Sequence, residues 1–204
     1  AVTGGRTNTG PGNKAMRSTS LFSSQDLKIW KYEHNFMKNE CFLPPGEDAS
    51  CPYFWPIGNR YIFLFFSHTT GSQYLLGDYN KEEHCFYPTF HGRFNFMSFL
   101  PGGVHAPSAT SDGKGGVIVI HNMHTGKKSP GWRGITTLPR KLTLDKCDTI
   151  NIQPYGDYKS LRTHHQHIDK THLPANKEII IDNIQGNALE IKAEINIKSS
   201  PMIE

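Results

Sequence analysis

Histidines, cysteines and carboxylates are the side chains of this sequence best able to do chemistry. Eleven histidines are present, and His164-His165-Gln166-His167, with His172 close by and His121 further off, has a spacing that can pick up divalent metal. A structural zinc site also needs a fourth ligand and a fixed frame. The surrounding stretch is polar and thin in apolar residues, so surface histidines are expected there, with no metal and no cofactor. Cys41, Cys51, Cys85 and Cys147 match no zinc-ligand spacing and include no C-x-x-C pair. Glu47 and Asp48 are adjacent carboxyls ahead of an aromatic run. Asp78 follows Gly77 at the end of another such run, where it either bonds a ligand hydroxyl or caps a turn, the cap being the simpler reading. Trp132, in Gly131-Trp132-Arg133-Gly134, offers a flat face on which sugar C–H groups can pack. A neutral His105 can donate one hydrogen bond.

The elements that must position these residues read as strands. Apolar and β-branched runs at 19–22, 29–32, 61–66, 73–76, 117–121, 135–138, 141–144, 179–181 and 189–197 are each bounded by Gly, Pro, Asn or Asp, the pattern of antiparallel strands joined by tight turns. Gly58-Asn59 is a hairpin signal, and 112–116 (Asp-Gly-Lys-Gly-Gly) is another. No stretch keeps helical periodicity over ten residues, so the chain is expected to be all-β. Phe63, Phe65, Ile118 and Ile120 are expected to be buried between neighbouring sheets. From Leu189 the apolar and polar residues alternate strictly, which predicts one half-buried strand with Leu189, Ile191, Ala193 and Ile195 inward and Glu190 and Lys192 outward. The expected organisation is a β module over 1–158, a linker over 159–177 and the start of a second module over 178–204.

Composition narrows the function classes. At 204 residues, with 36% hydrophobic and 11% aromatic residues, 19 Gly and 13 Pro, the chain suits a turn-rich folded protein and neither a disordered one nor a mini-protein. The net charge of +4 comes from scattered lysines and arginines, so no nucleic-acid partner is expected. The longest apolar run, 61–66, falls far short of the roughly 20 residues of a spanning helix, so no membrane partner is expected either. The first residues carry neither a basic leader nor an apolar core of a signal peptide.

Several segments, taken in order, resemble glycoside hydrolase family 32, the invertase, inulinase and levanase family. Residues 23–30 (Ser-Ser-Gln-Asp-Leu-Lys-Ile-Trp) resemble its S-x-D-L-x-x-W segment. Residues 50–56 (Ser-Cys-Pro-Tyr-Phe-Trp-Pro) resemble E-C-P-D-F-F-P, and 74–80 (Tyr-Leu-Leu-Gly-Asp-Tyr-Asn) resemble Y-x-x-G-D-Y-D. His105-Ala106-Pro107-Ser108 resembles Y-A-P-Q, 131–142 resembles G-W-A-G-x-x-x-L-P-R-E-L, and Gln153-Pro154 with Leu161-Arg162 follow as Q-P and L-R do in that family. The resemblance implies a five-bladed β-propeller, of which blades two to five are present wholly or in part, followed by the first strands of a β-sandwich. It implies a carbohydrate ligand such as sucrose or a fructan, with Asp78, His105 and Trp132 as candidate binding residues. It favours a secreted or periplasmic chain, and it makes Cys51 a buried free thiol, against the alternative of a Cys41–Cys51 pair. Trp30 and Trp55 are expected to pack within or between blades.

The departures bear on catalysis. The family's nucleophile, the Asp of W-M-N-D-P-N-G, and its R-D-P segment occur nowhere in these residues, which predicts a further N-terminal segment or a partner chain completing the propeller. The family's acid/base is the Glu of E-C-P, and Ser50 stands in that place. A retaining glycosidase needs two carboxyl groups about 5 to 5.5 Å apart, and serine cannot donate a proton at the required pKa. Glu47 could substitute only through a bulge or irregular loop, because residues 47 and 50 fall on opposite faces of a regular strand. Two functions therefore stand: a β-fructosidase-type hydrolase impaired or inactive as this chain alone, and a non-catalytic carbohydrate-binding pseudoenzyme. A purely structural propeller presenting loops to another protein is a third, with no particular residue in its support.

Overall fold

The computed structural model of the chain describes residues 1–8, 10–38, 47–94, 103–124, 130–132, 134–182, 184–186 and 188–196. The chain divides into two compact units, Ala1–Gly156 and Asp157–Glu204.

The first unit is made of antiparallel strands in three sheets. Strands β1 (Val2–Thr7), β2 (Met16–Ser23) and β3 (Lys31–Asn35) form one; β4 (Ser50–Ile57), β5 (Arg60–Ser67), β6 (Gly71–Asn80) and β7 (Cys85–Arg93) form the second. The third holds β8 (Gly103–Ser111), β9 (Val117–His124), β11 (Arg140–Leu144) and β12 (Ile150–Pro154), with the short β10 (Ile135–Thr136) beside β9. Each sheet is a meander in chain order, the local connectivity that tight turns enforce. Gly58, at φ 56°, and Asn59 turn β4 into β5 as expected, and Asp112 closes the β8–β9 turn by accepting the Lys114 and Gly116 amides. The described residues thus form three sheets, all before Gly156, and none beyond it.

The middle sheet is buried on both faces, which is why β5 reads as an unbroken apolar run. One face sends Phe63, Phe65 and Leu75 against Phe36, Met37 and Ala49, with Val2 and Leu21 of the first sheet packed alongside. The other sends Ile57, Ile62, Leu64 and Leu76 against Val117, Val119 and Leu142 of the third sheet. Phe63 and Phe65 are buried as expected. Ile118 and Ile120 are not: on β9 the inward face is Val117, Val119 and His121. The run Val-Ile-Val-Ile is apolar on both faces, so its phase is set by pairing with β8 and β11 and not by its own pattern. Trp55 packs against the third sheet and donates its Nε1–H to the Ala109 carbonyl, while Trp30 is 43% exposed and not the packing residue expected.

In the second unit Asp157 caps a short 3-10 turn, Tyr158–Leu161, by accepting the Ser160 amide. Arg162 lies over the Tyr158 ring and forks onto both Glu190 carboxylate oxygens. The strand expected from Leu189 is not formed: residues 188–196 pair with no other strand, and Leu189, Ile191 and Ile195 are exposed. Alternation marks a face for burial, but a strand needs a hydrogen-bonding neighbour, and none is present among the described residues. Residues 179–181 are likewise unpaired.

Candidate functional site

The middle and third sheets share a local device at one end. Ser50-Cys51-Pro52 and His105-Ala106-Pro107 each put a small residue at positive φ, Cys51 at 52° and Ala106 at 44°, directly before a proline. Each breaks the strand register there, between Ser50 and Tyr53 against β5 and between His105 and Pro107 against β9. Proline cannot donate to the ladder and steers its predecessor away from the helical region, so the pattern x-small-Pro bulges the first strand of each sheet. Bulges re-aim side chains and gather at functional sites. The bulge also turns Cys51 outward, correcting the expectation of a buried thiol; Cys51 is exposed and free, and Cys41 lies outside the described residues.

Just ahead of the β4 bulge, Glu47 and Asp48 take separate roles. Glu47 is 1% exposed; its Oε1 accepts from Thr70 Oγ1 at 2.7 Å, and its Oε2 is buried without a hydrogen-bond partner. Thr70 also accepts from Gln73, whose Oε1 meets His91 Nε2 at 2.6 Å. Burial, then the Arg93 and Arg17 charges, hold His91 below its ordinary pKa, with Glu47 opposing. Glu47 thus belongs to a buried polar network and does not face open space.

Asp48, also largely buried, sits among a set of donors. Its Oδ2 accepts from Ser50 Oγ at 2.6 Å and lies 2.7 Å from His68 Nδ1, while Oδ1 accepts the His68 amide at 3.0 Å and stands 3.6 Å from Arg6 of β1. Burial pushes the Asp48 carboxyl up, but the bonds from Ser50 and His68 outweigh it and leave the pKa lowered. Gly4 makes this packing possible: a Cβ there would sit 1.5 Å from the Ala49 carbonyl oxygen, so β1 can lie against this segment only with glycine. Phe66, paired with Ser50, carries His68 on one side, with ring centroids at 5.0 Å, and His105 on the other at 5.2 Å. His105 in turn lies 5.5 Å from His124. Burial first, then His124 and His68, lower the His105 pKa, favouring the neutral ring.

The fold therefore brings Ser50, Glu47 and His105 to one end of the molecule. Trp132, 47% exposed, lies on the connection leaving β9 at its His124 end, the same end of that sheet as His105. Asp78 is not brought to them. It pairs with Tyr87 near the β4–β5 turn, at the opposite end of the middle sheet, where it accepts from Arg60 at 2.9 Å. Arg60 also binds Asp148 at 2.6 Å and Thr89, so Asp78 belongs to a link between sheets. Sequence reading missed His68, Arg6 and His124 and passed over Asp48. The signal for His68 was available: counting outward from the two-residue turn at Gly58 places it opposite Ala49.

The profile of the glycosyl hydrolases family 32 N-terminal domain matches residues 6–154, which is most of the first unit. The chain belongs to glycoside hydrolase family 32. Among curated proteins it is similar to the sucrose-6-phosphate hydrolase of Zymomonas mobilis, 26% identical over 163 residues, a match covering 70% of this chain and 30% of that protein. Among solved structures it resembles the Bombyx mori GH32 β-fructofuranosidase at TM-score 0.59 and 21% identity, covering 74% of this chain and 34% of that one. A mutant of the silkworm enzyme in complex with sucrose (TM-score 0.54) and a family 32 glycoside hydrolase of Bifidobacterium adolescentis (TM-score 0.53) have the same fold. The family 32 chain described here thus spans about a third of the length of these relatives, and its all-β fold is of the propeller type.

Proposed function

We propose that this family 32 chain forms part of a fructoside pocket in a β-fructofuranosidase-type hydrolase, taking sucrose or a fructan, and that the chain alone binds without turnover. The observation that carries the reading is the head of β4. The register shift of β4 falls between Ser50 and Tyr53, directly after the segment that carries the buried Glu47 and the Asp48–His68 pair. His105 and Trp132 supply a neutral donor and an aromatic face for sugar at the same end. Asp78, by contrast, is proposed as a structural partner of Arg60. The three sheets are read as three consecutive blades of a five-bladed propeller, with residues 159–177 a linker and 178–204 the opening of a β-sandwich. The free edge of β1, which no strand covers among the described residues, supports a further segment or partner chain there.

Ser50 gives the second reading its support: with a hydroxyl where the family has its acid/base carboxyl, a non-catalytic carbohydrate-binding pseudoenzyme retains the pocket without the chemistry. Calorimetric titration of the chain with sucrose and short fructans, beside an assay for released fructose, tests the proposal. Binding without fructose release is expected. Ready hydrolysis by the unmodified chain overturns the claim of inactivity, and absence of binding overturns the pocket.

A further inference from the structure

Resting on that fructoside-pocket reading, we propose that His68, held by Asp48, is the proton donor and acceptor of the pocket, in place of the glutamate whose position Ser50 occupies. Asp48 grips His68 twice, at the backbone N–H and at Nδ1, and Ser50 donates to the same carboxylate. An ionised Asp48 keeps the hydrogen on Nδ1, so the exchangeable position is Nε2, which meets no hydrogen-bond partner among the described residues. The His68 side chain is 61% exposed, whereas Glu47 is sealed in its network and Asp48 is already saturated with donors. The charged and titratable groups near the ring are Asp48 and Ser50 from the head of β4, Arg6 of β1, which reaches the same carboxylate, and His105 of β8, which has His124 of β9 behind it. Asp48 is the sole anion of that set, and it holds the ring by Nδ1 at 2.7 Å.

In the first step the bond from the anomeric carbon to the leaving oxygen breaks with its electron pair on that oxygen, which takes the Nε2 proton. A carboxylate outside these residues bonds to the anomeric carbon. Water then displaces that carboxylate, its oxygen bonding to carbon and its proton passing to the now neutral Nε2, which restores the imidazolium. Asp48 stays charged throughout and acts through His68 as a positioning residue.

The test uses the natural gene product with whatever residues flank this chain, as wild type, His68→Gln, Asp48→Asn and Asp48→Glu. Sucrose binding is measured by calorimetry, and hydrolysis of sucrose and of p-nitrophenyl β-fructofuranoside is followed across pH. Positioned acid–base groups are worth about 10²- to 10⁴-fold in rate. His68→Gln is expected to lose that much on sucrose and far less on the nitrophenyl substrate, whose leaving group departs without a proton, while sucrose binding stays within a few-fold. Asp48→Asn should show the same selective loss on sucrose to a smaller degree, and Asp48→Glu should recover much of it. The ratio of the two rates does not depend on how much of a variant is folded, so a poorly folding variant still reports. An unchanged ratio in His68→Gln overturns the proposal. A wild-type protein that binds fructosides but cleaves neither substrate overturns it too, leaving the binding pocket standing; one that does not bind them overturns the pocket reading and this proposal together.

Discussion

The two ends of the β4–β7 sheet are built from the same four strands and each carries an aspartate beside a basic side chain, yet they differ in what is left over. At the turn end Arg60 gives hydrogen bonds or ion pairs to Asp78, Asp148, Thr89 and the Gly77 carbonyl, linking the middle and third sheets with each of its three nitrogens engaged. At the bulged end Asp48 collects donors from Ser50 and His68, and the His68 ring retains an uncommitted nitrogen among the described residues. The first arrangement ties sheets together. The second leaves one ring nitrogen without a protein partner among the described residues. The difference follows from backbone: a regular two-residue turn lets neighbouring strands saturate each other, whereas an x-small-Pro bulge removes an amide donor and lifts the strand head out of register.

Removing what both ends share has the largest expected effect. Phe63 is fully buried against Phe36, Phe65 and Phe86, and Phe63→Ala should cost about 3–5 kcal/mol. Urea unfolding followed at both ends should show one transition; two separated transitions would break the view that a single core supports them.

Acid should distinguish the ends next. His121, adjacent in register to the His105 bulge, is held to a pKa of about 4, first by burial and then by Arg140 and His105, against an ordinary 6.5. The unfolded chain takes up that proton near 6.5 and the folded one only near 4, so unfolding binds a proton between them and stability falls as pH drops. The whole loss amounts to roughly 3 kcal/mol by about pH 4. Hydrogen exchange at pH 5 should quicken around β8 and β9 at the bulged end before it does near Arg60, and His121→Leu should flatten the stability profile between pH 6.5 and 4.

Arg60→Ala is expected to lower stability by about 1–2 kcal/mol, less than a fully buried pair would, because both aspartate partners are largely solvated. Fructoside binding should not change, and a parallel loss of affinity would show that the ends are coupled. Asp78→Asn should do least, within about 0.5 kcal/mol of wild type in denaturant melts, with unaltered binding. Loss of binding in that variant would return Asp78 to the pocket and move the site to the turn end.

Much of this was legible in the sequence. The turn at Gly58-Asn59, the closure at 112–116 and the doubly apolar run of β5 each fix a strand or turn through local chemistry, and the x-small-Pro segments carry the family resemblance that the family 32 profile upholds. Local chemistry could not phase β9, whose apolar residues fill both faces, nor tell that Asp78 would be claimed by an arginine from the neighbouring strand. It also misjudged 189–196, where alternation is present but no pairing strand is found among the described residues.

What the residues determined alone is therefore a part of the strands, β2, β5, β6, β9 and β11 among them, with the turns at Gly58-Asn59 and 112–116 and the positions where proline forces a bulge, since each depends on a few neighbouring side chains. Tertiary structure decided which carboxyl joins the Thr70–Gln73–His91 network and which gathers Ser50 and His68. Glu47 and Asp48 are adjacent and chemically alike. Only the approach of β1 through Gly4, the return of β5 with His68 and the buried Thr70–Gln73–His91 chain separate them. Burial and hydrogen-bond partners are properties of segments far apart along the chain, and no local pattern contains them.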